Sequence, residues 1–150
     1  MSDNQLFDPE KLSIIEFKFI KGQVDTPEDF IIDKVDGHEL ENTLKLAFNI
    51  EEKLVKADFS VEINTESKGA NSKEATGSFH LVFIYRVDNL EELAKPEKNN
   101  LIDLHPALGN ALSSITYSTS RGILLTRMQG TALQNFVLPV INPNKLLHNK

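Results

Sequence analysis

Four stretches upstream of residue 88 alternate apolar and polar side chains with the period of two that sets one face of a β-strand against the other. In 54–64, Val55, Ala57, Phe59, Val61 and Ile63 alternate with Lys56, Asp58, Ser60, Glu62 and Asn64. Residues 43–50 set Leu44, Leu46, Phe48 and Ile50 against Lys45, Ala47 and Asn49, and 78–87 place Phe79, Leu81, Phe83, Tyr85 and Val87 on one side. Residues 12–20 put Ile15, Phe17 and Phe19 on one face, with Glu16 and Lys18 opposite. Four strands with one strongly apolar face each predict an antiparallel sheet covered on that side. Val82 and Ile84 make the second face of the last strand apolar in its middle, as expected of a strand at the sheet centre or of a second contact surface.

The connections differ in character. TESKGANSKEATG (65–77) has the composition of a flexible hairpin loop. VDTPEDFIIDKVDGHEL (24–40) reads as a longer acidic loop, and it carries Phe30, Ile31 and Ile32. Residues 88–100 read as a helical turn and a solvated linker. A helix follows, capped by Asp103 or His105, with Pro106 in the first turn where its missing N–H costs nothing. It runs to about Met128 and stops at Gly130. Leu108, Leu112, Ile115 and Ile123 form its apolar stripe, and Ala111, Ser114, Ser118 and Gly122 are small enough to admit another backbone. Gly122 costs about 1 kcal/mol against alanine inside a helix, so close packing is expected to offset it.

The stretch QNFVLPVINP (134–143) holds five large apolar residues, two prolines and no charge. Pro139 and Pro143 exclude a continuous helix and a central strand. Phe136, Val137, Leu138, Val140 and Ile141 therefore belong to an extended segment, either buried or kept available for binding. The pattern as a whole is α+β: a four-stranded antiparallel sheet, one long helix packed on it, and a short extended or helical C-terminal segment.

The 150 residues suit one domain. With no cysteine, nothing relies on disulfides or thiolate ligands, and a reducing, cytoplasmic location is expected. The polar, acidic start MSDNQLFDPEKL is unlike a secretory signal, and no stretch is apolar enough to predict membrane insertion. Charge is uneven: residues 1–100 carry −9 and residues 101–150 carry +3. The net −6 argues against a nucleic-acid partner, which needs a basic surface. Residues 104–120 and 128–144 contain no Asp, Glu, Lys or Arg, and two such stretches in one small domain point to contacts between subunits.

Candidate chemistry is sparse. His38, His80, His105 and His148 lack the spacing of a metal site, and His80, out of phase with its strand's apolar set, is expected to face solvent. There is no phosphate-binding glycine loop and no G-x-S-x-G elbow, so neither cofactor nor catalytic residue is expected. Arg121, alone in its neighbourhood, either snorkels from a subunit interface or holds an anion.

ALSSITYSTSRGILLTRMQGTALQNFVLPVINPNKLL (111–147) resembles the region of the SecB family in which a long helix ends near Ser-Arg-Gly and a leucine–proline step leads through an Asn-containing turn into a last helix. GSFHLVFIYRV (77–87) is similar to the family's last strand. The resemblance implies an ATP-independent holdase, a dimer of dimers, that binds unfolded or presecretory polypeptides in a hydrophobic groove. In this sequence the implied groove residues are Phe30, Ile31 and Ile32 of the crossover, with Phe136, Leu138, Val140, Ile141, Leu146 and Leu147 near the end. The implied oligomer contacts are Ala111, Ser114, Ser118 and Gly122. Family members that deliver preproteins to the SecA motor continue through a second helix into a charged tail, whereas this sequence stops at His148-Asn149-Lys150. SecA is accordingly the least supported of the implied partners. The alternatives are a SecB-like chaperone dedicated to a toxin–antitoxin client, a scaffold with one fixed folded partner, and a small-ligand binder.

Overall fold

The alternation over 54–64 becomes the longest fully covered row in the protein: Val55, Ala57, Phe59, Val61 and Ile63 are each inaccessible to solvent. The computed structural model describes residues 6–69 and 73–148, the side chain of His148 excepted. Strands β1 (Leu12–Asp25), β2 (Val35–Asn49), β3 (Leu54–Ser67) and β4 (Thr76–Val87) form a sheet in the order β1-β4-β3-β2, every neighbour antiparallel. The register sets Phe59 beside Leu44 and Leu81, and Val55 beside Phe48 and Tyr85, so the apolar sets of β2, β3 and β4 share one face as their period requires. Val82, on the other face of the central strand β4, is itself only 5% exposed.

Strand β1 departs from simple alternation. Its pairing with β4 shifts between Ile14 and Glu16 and again between Phe19 and Lys21. Each shift is a bulge that lets one extra residue pass without a partner and resets the faces. Phe17 and Phe19 lie opposite Phe83 and Leu81 as expected, but Ile15 is the extra residue and Ile14, opposite Tyr85, takes the core-side place assigned to it. Both strands flanking the long crossover also run further than the alternation suggested, so residues 35–40 belong to β2 and not to a loop. The crossover that remains links the two edges of the sheet, with a single 3-10 turn at Ile32–Lys34. The middle of the β3–β4 connection lies outside the described residues. At its flanks, the Glu74 carboxylate accepts hydrogen bonds from the Ser67 N–H (2.8 Å), the Ser67 hydroxyl (2.7 Å) and the Thr65 hydroxyl (2.9 Å).

Residues 88–104 are more than a linker. A short helix α1 (Leu90–Leu93) buries Leu90 and Leu93, then β5 (Ala94–Pro96) and β6 (Ile102–Leu104) form a hairpin turning at Asn99 and Asn100, both with positive φ. Helix α2 (Pro106–Arg127) begins at His105, whose Nδ1 accepts from the Ala107 N–H, with Pro106 in its first turn. Leu108, Leu112, Thr116, Tyr117 and Leu124 form its buried stripe. Tyr85 on β4 and Thr116 on α2 share a hydrogen bond of 2.7 Å, and Tyr117 meets the edge of Phe59. Burial pushes the Tyr85 phenol up to about 12, with the Thr116 bond pulling the other way, so the pair stays neutral and fixes the helix on the sheet.

The helix ends at Met128, and Gly130 (φ 79°) turns the chain back toward the sheet. Ser120-Arg121-Gly122 therefore lies inside α2 and does not mark its end. Residues 131–143 carry no regular element, and α3 (Asn144–His148) closes the described chain. Leu133 seats over Gly77, where a Cβ would collide with its side chain. Gly77→Ala should consequently cost about 1–3 kcal/mol through forced repacking. An unchanged midpoint in chemical denaturation would show that the Leu133 contact is not tight.

Candidate functional site

Only part of the sheet's apolar face is covered by α2, and the tail covers more of it. Phe136 (8% exposed) and Leu138 (1%) point inward and Val137 (43%) outward, the alternation of an extended segment, which breaks after Pro139, since Val140 (86%) also points outward. Two side chains of α2 hold that segment by its backbone. The Tyr117 hydroxyl donates to the Pro139 carbonyl and Arg121 Nε donates to the Leu138 carbonyl at 2.8 Å. Burial raises the Tyr117 phenol and the Arg121 charge opposes the shift. Pro139 lacks an N–H to donate, so a carbonyl-only anchor is the one it can use. Phe136 packs at a tilt against His38 of β2, with ring centroids 5.0 Å apart.

These placements divide the residues expected to line a groove. Phe136 and Leu138 of the extended segment and Leu146 of α3 are core residues of the chain itself, covering apolar surface that α2 leaves open. They do not present a surface to a partner. Ile31 (50% exposed) and Val140 do present one, while Phe30, Ile32, Ile141 and Leu147 are half-buried. The crossover and the tail meet where expected: Ile32 lines a cleft of about 230 Å³ together with His38, Ala132 and Asn135. Val140 and Ile141 face a second cleft beside Tyr117 and Arg121. The expected groove residues thus line separate clefts, one beside the start of β2 and one between α2 and the tail.

A third cleft, larger than these two, was not legible from the crossover and tail residues. It measures about 450 Å³ and lies where the end of β2, the β5–β6 hairpin, the start of α2 and α3 converge. Leu46 and Phe48 form its sheet side, Leu101, Ile102 and Leu104 its hairpin side, and Leu147 its α3 side. Its polar lining consists of Asn100, His105, Asn110 and Asn144, with no charged side chain. Leu101, at the hairpin, is 61% exposed. The signal for this wall was the run Leu101-Ile102-Asp103-Leu104 directly after the polar linker.

The expected oligomer contacts lie along α2 away from its buried stripe. Ala111 and Ser114 are half-buried, Ser118 and Gly122 are exposed, and nothing lies within 4 Å of where a Gly122 Cβ would stand. Close packing within the chain does not offset the cost of that glycine. His80 lies on the face opposite the core, half-buried, with Nε2 2.8 Å from Asp58. Among the described residues no cluster of His, Asp or Glu could hold a metal ion, and no helix is long and apolar enough to cross a membrane.

Comparison with known proteins finds the arrangement elsewhere. No family model matches the chain, and no curated protein matches its sequence. Among solved structures it is similar to the SecB-like chaperone Rv1957 of Mycobacterium tuberculosis, in complex with a ChAD peptide from the Rv1956 HigA1 antitoxin. The TM-score is 0.61 at 12% sequence identity, over 89% of this chain and 92% of that one. The α+β fold, a four-stranded antiparallel sheet with a long helix, is SecB-like.

His38 makes the docking of the tail sensitive to pH. Burial against Phe136 lowers its pKa, and the opposing attraction of Glu66 is the smaller effect; Asp36 lines the same cleft. With the folded value below the reference of about 6.5, the unfolded chain binds more protons, so stability present above that value falls as pH drops through and below it. His38→Phe should flatten the decline in denaturation midpoint over that interval. The Glu74 carboxylate, held low by the Ser67 N–H, acts only below the ordinary carboxylate value of about 4.3 and leaves the two effects separable.

Proposed function

We propose that this chain is a SecB-like chaperone that holds unfolded or presecretory polypeptides on the apolar surface its single helix leaves open. The observation that carries the reading is the uncharged cleft bounded by Leu46, Phe48, Leu101 and Leu147, with outward-facing Ile31 and Val140 as further, separate apolar contacts, on a fold shared with a peptide-bound chaperone. An apolar side chain entering such a cleft contributes roughly 1.5–3 kcal/mol in transfer terms. Ordering the client consumes much of that gain, so one site binds weakly. Self-association along the small-residue face of α2, into a dimer of dimers, would multiply sites and raise avidity while each contact stays reversible. Binding the unfolded state shifts folding by mass action, with neither nucleotide nor catalytic residue required. On this reading the protein works in the cytoplasm and performs no covalent chemistry. Export and delivery to a translocation motor extend the same reading.

A second reading, a chaperone dedicated to one client, is favoured by the antitoxin peptide carried by the similar structure. Promiscuity separates the two. A general holdase suppresses aggregation of unrelated unfolded proteins, and a dedicated one protects its own client alone.

Leu101→Asp and Val140→Asp test the surface. Both residues are exposed, so each variant should keep its denaturation midpoint within about 0.5 kcal/mol of the parent. Each should suppress aggregation of a denatured model substrate several-fold less well; undiminished suppression in both would overturn the assignment. Leu138→Asp serves as the contrasting control. Burying its charge should destabilise the fold by about 3 kcal/mol or more, so loss of holding there reports unfolding.

A further inference from the structure

The cleft beside Arg121 has a charged group that the apolar holding surface does not use. It measures about 230 Å³ and is walled by Ser114, Tyr117, Ser118 and Arg121 on α2 and by Val140, Ile141 and Pro143 of the tail. Arg121 spends Nε on the Leu138 carbonyl, which fixes the plane of the guanidinium. Its terminal nitrogens, Nη1 and Nη2, donate to no protein atom among the described residues, and Arg121 makes no ion pair there. A permanently charged, half-buried fork oriented by one bond and free at its other edge is matched by a carboxylate, which accepts two parallel N–H bonds.

The chain cannot supply that carboxylate from nearby. Residues 104–150 contain no Asp or Glu, so α2 and the described tail offer the fork no acidic side chain. Packing a second α2 against the first would bring another Arg121 and no counter-charge. Among the described residues no carboxylate pairs with the fork, a ligand can bring one, and the opposite wall restricts which. Val140, Ile141 and Pro143 are apolar and lie across the cleft from the Ser114 and Ser118 hydroxyls. An aspartate or glutamate side chain would satisfy the fork and leave that wall facing a polar group. A chain-terminal residue with an apolar side chain carries both features on one Cα.

We propose that this cleft captures the carboxyl terminus of a bound polypeptide whose last residue is apolar, with Nη1 and Nη2 of Arg121 on the carboxylate and the side chain against Val140 and Ile141. This site is independent of the uncharged cleft by the hairpin, so it can fail without that cleft failing.

Fluorescence anisotropy with a short neutral peptide ending in leucine tests it on the full chain. The free acid should bind about tenfold more tightly than its C-terminal amide, the scale of one charge-assisted hydrogen-bond pair. The amide carrying an internal aspartate near its end should resemble the plain amide. Arg121→Gln should abolish the preference. Because that variant also loosens the tail, Ser118→Asp is the second probe: the site is exposed, and its carboxylate would occupy the fork from one helical turn away. Equal affinity for acid and amide, a preference that survives both variants, or equal binding of the aspartate-bearing amide and the free acid would overturn the proposal.

Discussion

One helix cannot cover four strands. Strands spaced about 4.8 Å apart make an apolar face some 15–20 Å wide, whereas a helix with its side chains is about 10–12 Å across. The Tyr85–Thr116 bond and the Phe59–Tyr117 contact fix where α2 sits, over the central strands. Everything else about the molecule follows from how the remaining width is treated. The tail covers some of it through Leu133, Phe136 and Leu138. On β1, Phe17 stays 39% exposed although it packs against Phe83, and at the far end of β2 an apolar cleft stays accessible.

Partial cover suits the proposed role. A fully covered face would give a more stable protein with nothing to offer a client. A fully open one would put Leu44, Phe59 and Leu81 at the surface and cost the fold its core. The structure lies between these, and the tail sets the balance, its buried Leu133, Phe136 and Leu138 backed by two side-chain bonds to carbonyls and one aromatic contact.

The sheet was legible in the sequence because period-two alternation with one buried face leaves little freedom of register. Val55 to Ile63 and Phe79 to Val87 took their expected places. The helix was equally legible from Pro106 and Gly130. The misplacement of Ile15 came from a bulge, which depends on pairing with β4 and leaves no mark in the alternation of β1 itself. The tail was read correctly as extended and apolar, but whether such a segment faces in or out depends on the width of sheet left uncovered. Composition carries no such quantity, so Leu138 was assigned to a surface that it helps to close. The hairpin wall at Leu101 was missed for a related reason. Its neighbours Lys95 to Asn100 are polar, and the positive-φ turn at Asn99 and Asn100 gives no strong signal without glycine.

The bulges of β1 have a bearing on which strands could extend the sheet. That strand lies at an edge, and an edge strand offers unpaired backbone groups to any extended chain. The shifts at Ile15 and Ile20 divide it into three regular runs, Leu12–Ile14, Glu16–Phe19 and Lys21–Asp25. A straight incoming chain can match one run and then falls out of step. The irregular outline works as a shape filter: it turns away indiscriminate sheet growth and leaves room for a short segment or for one with matching kinks.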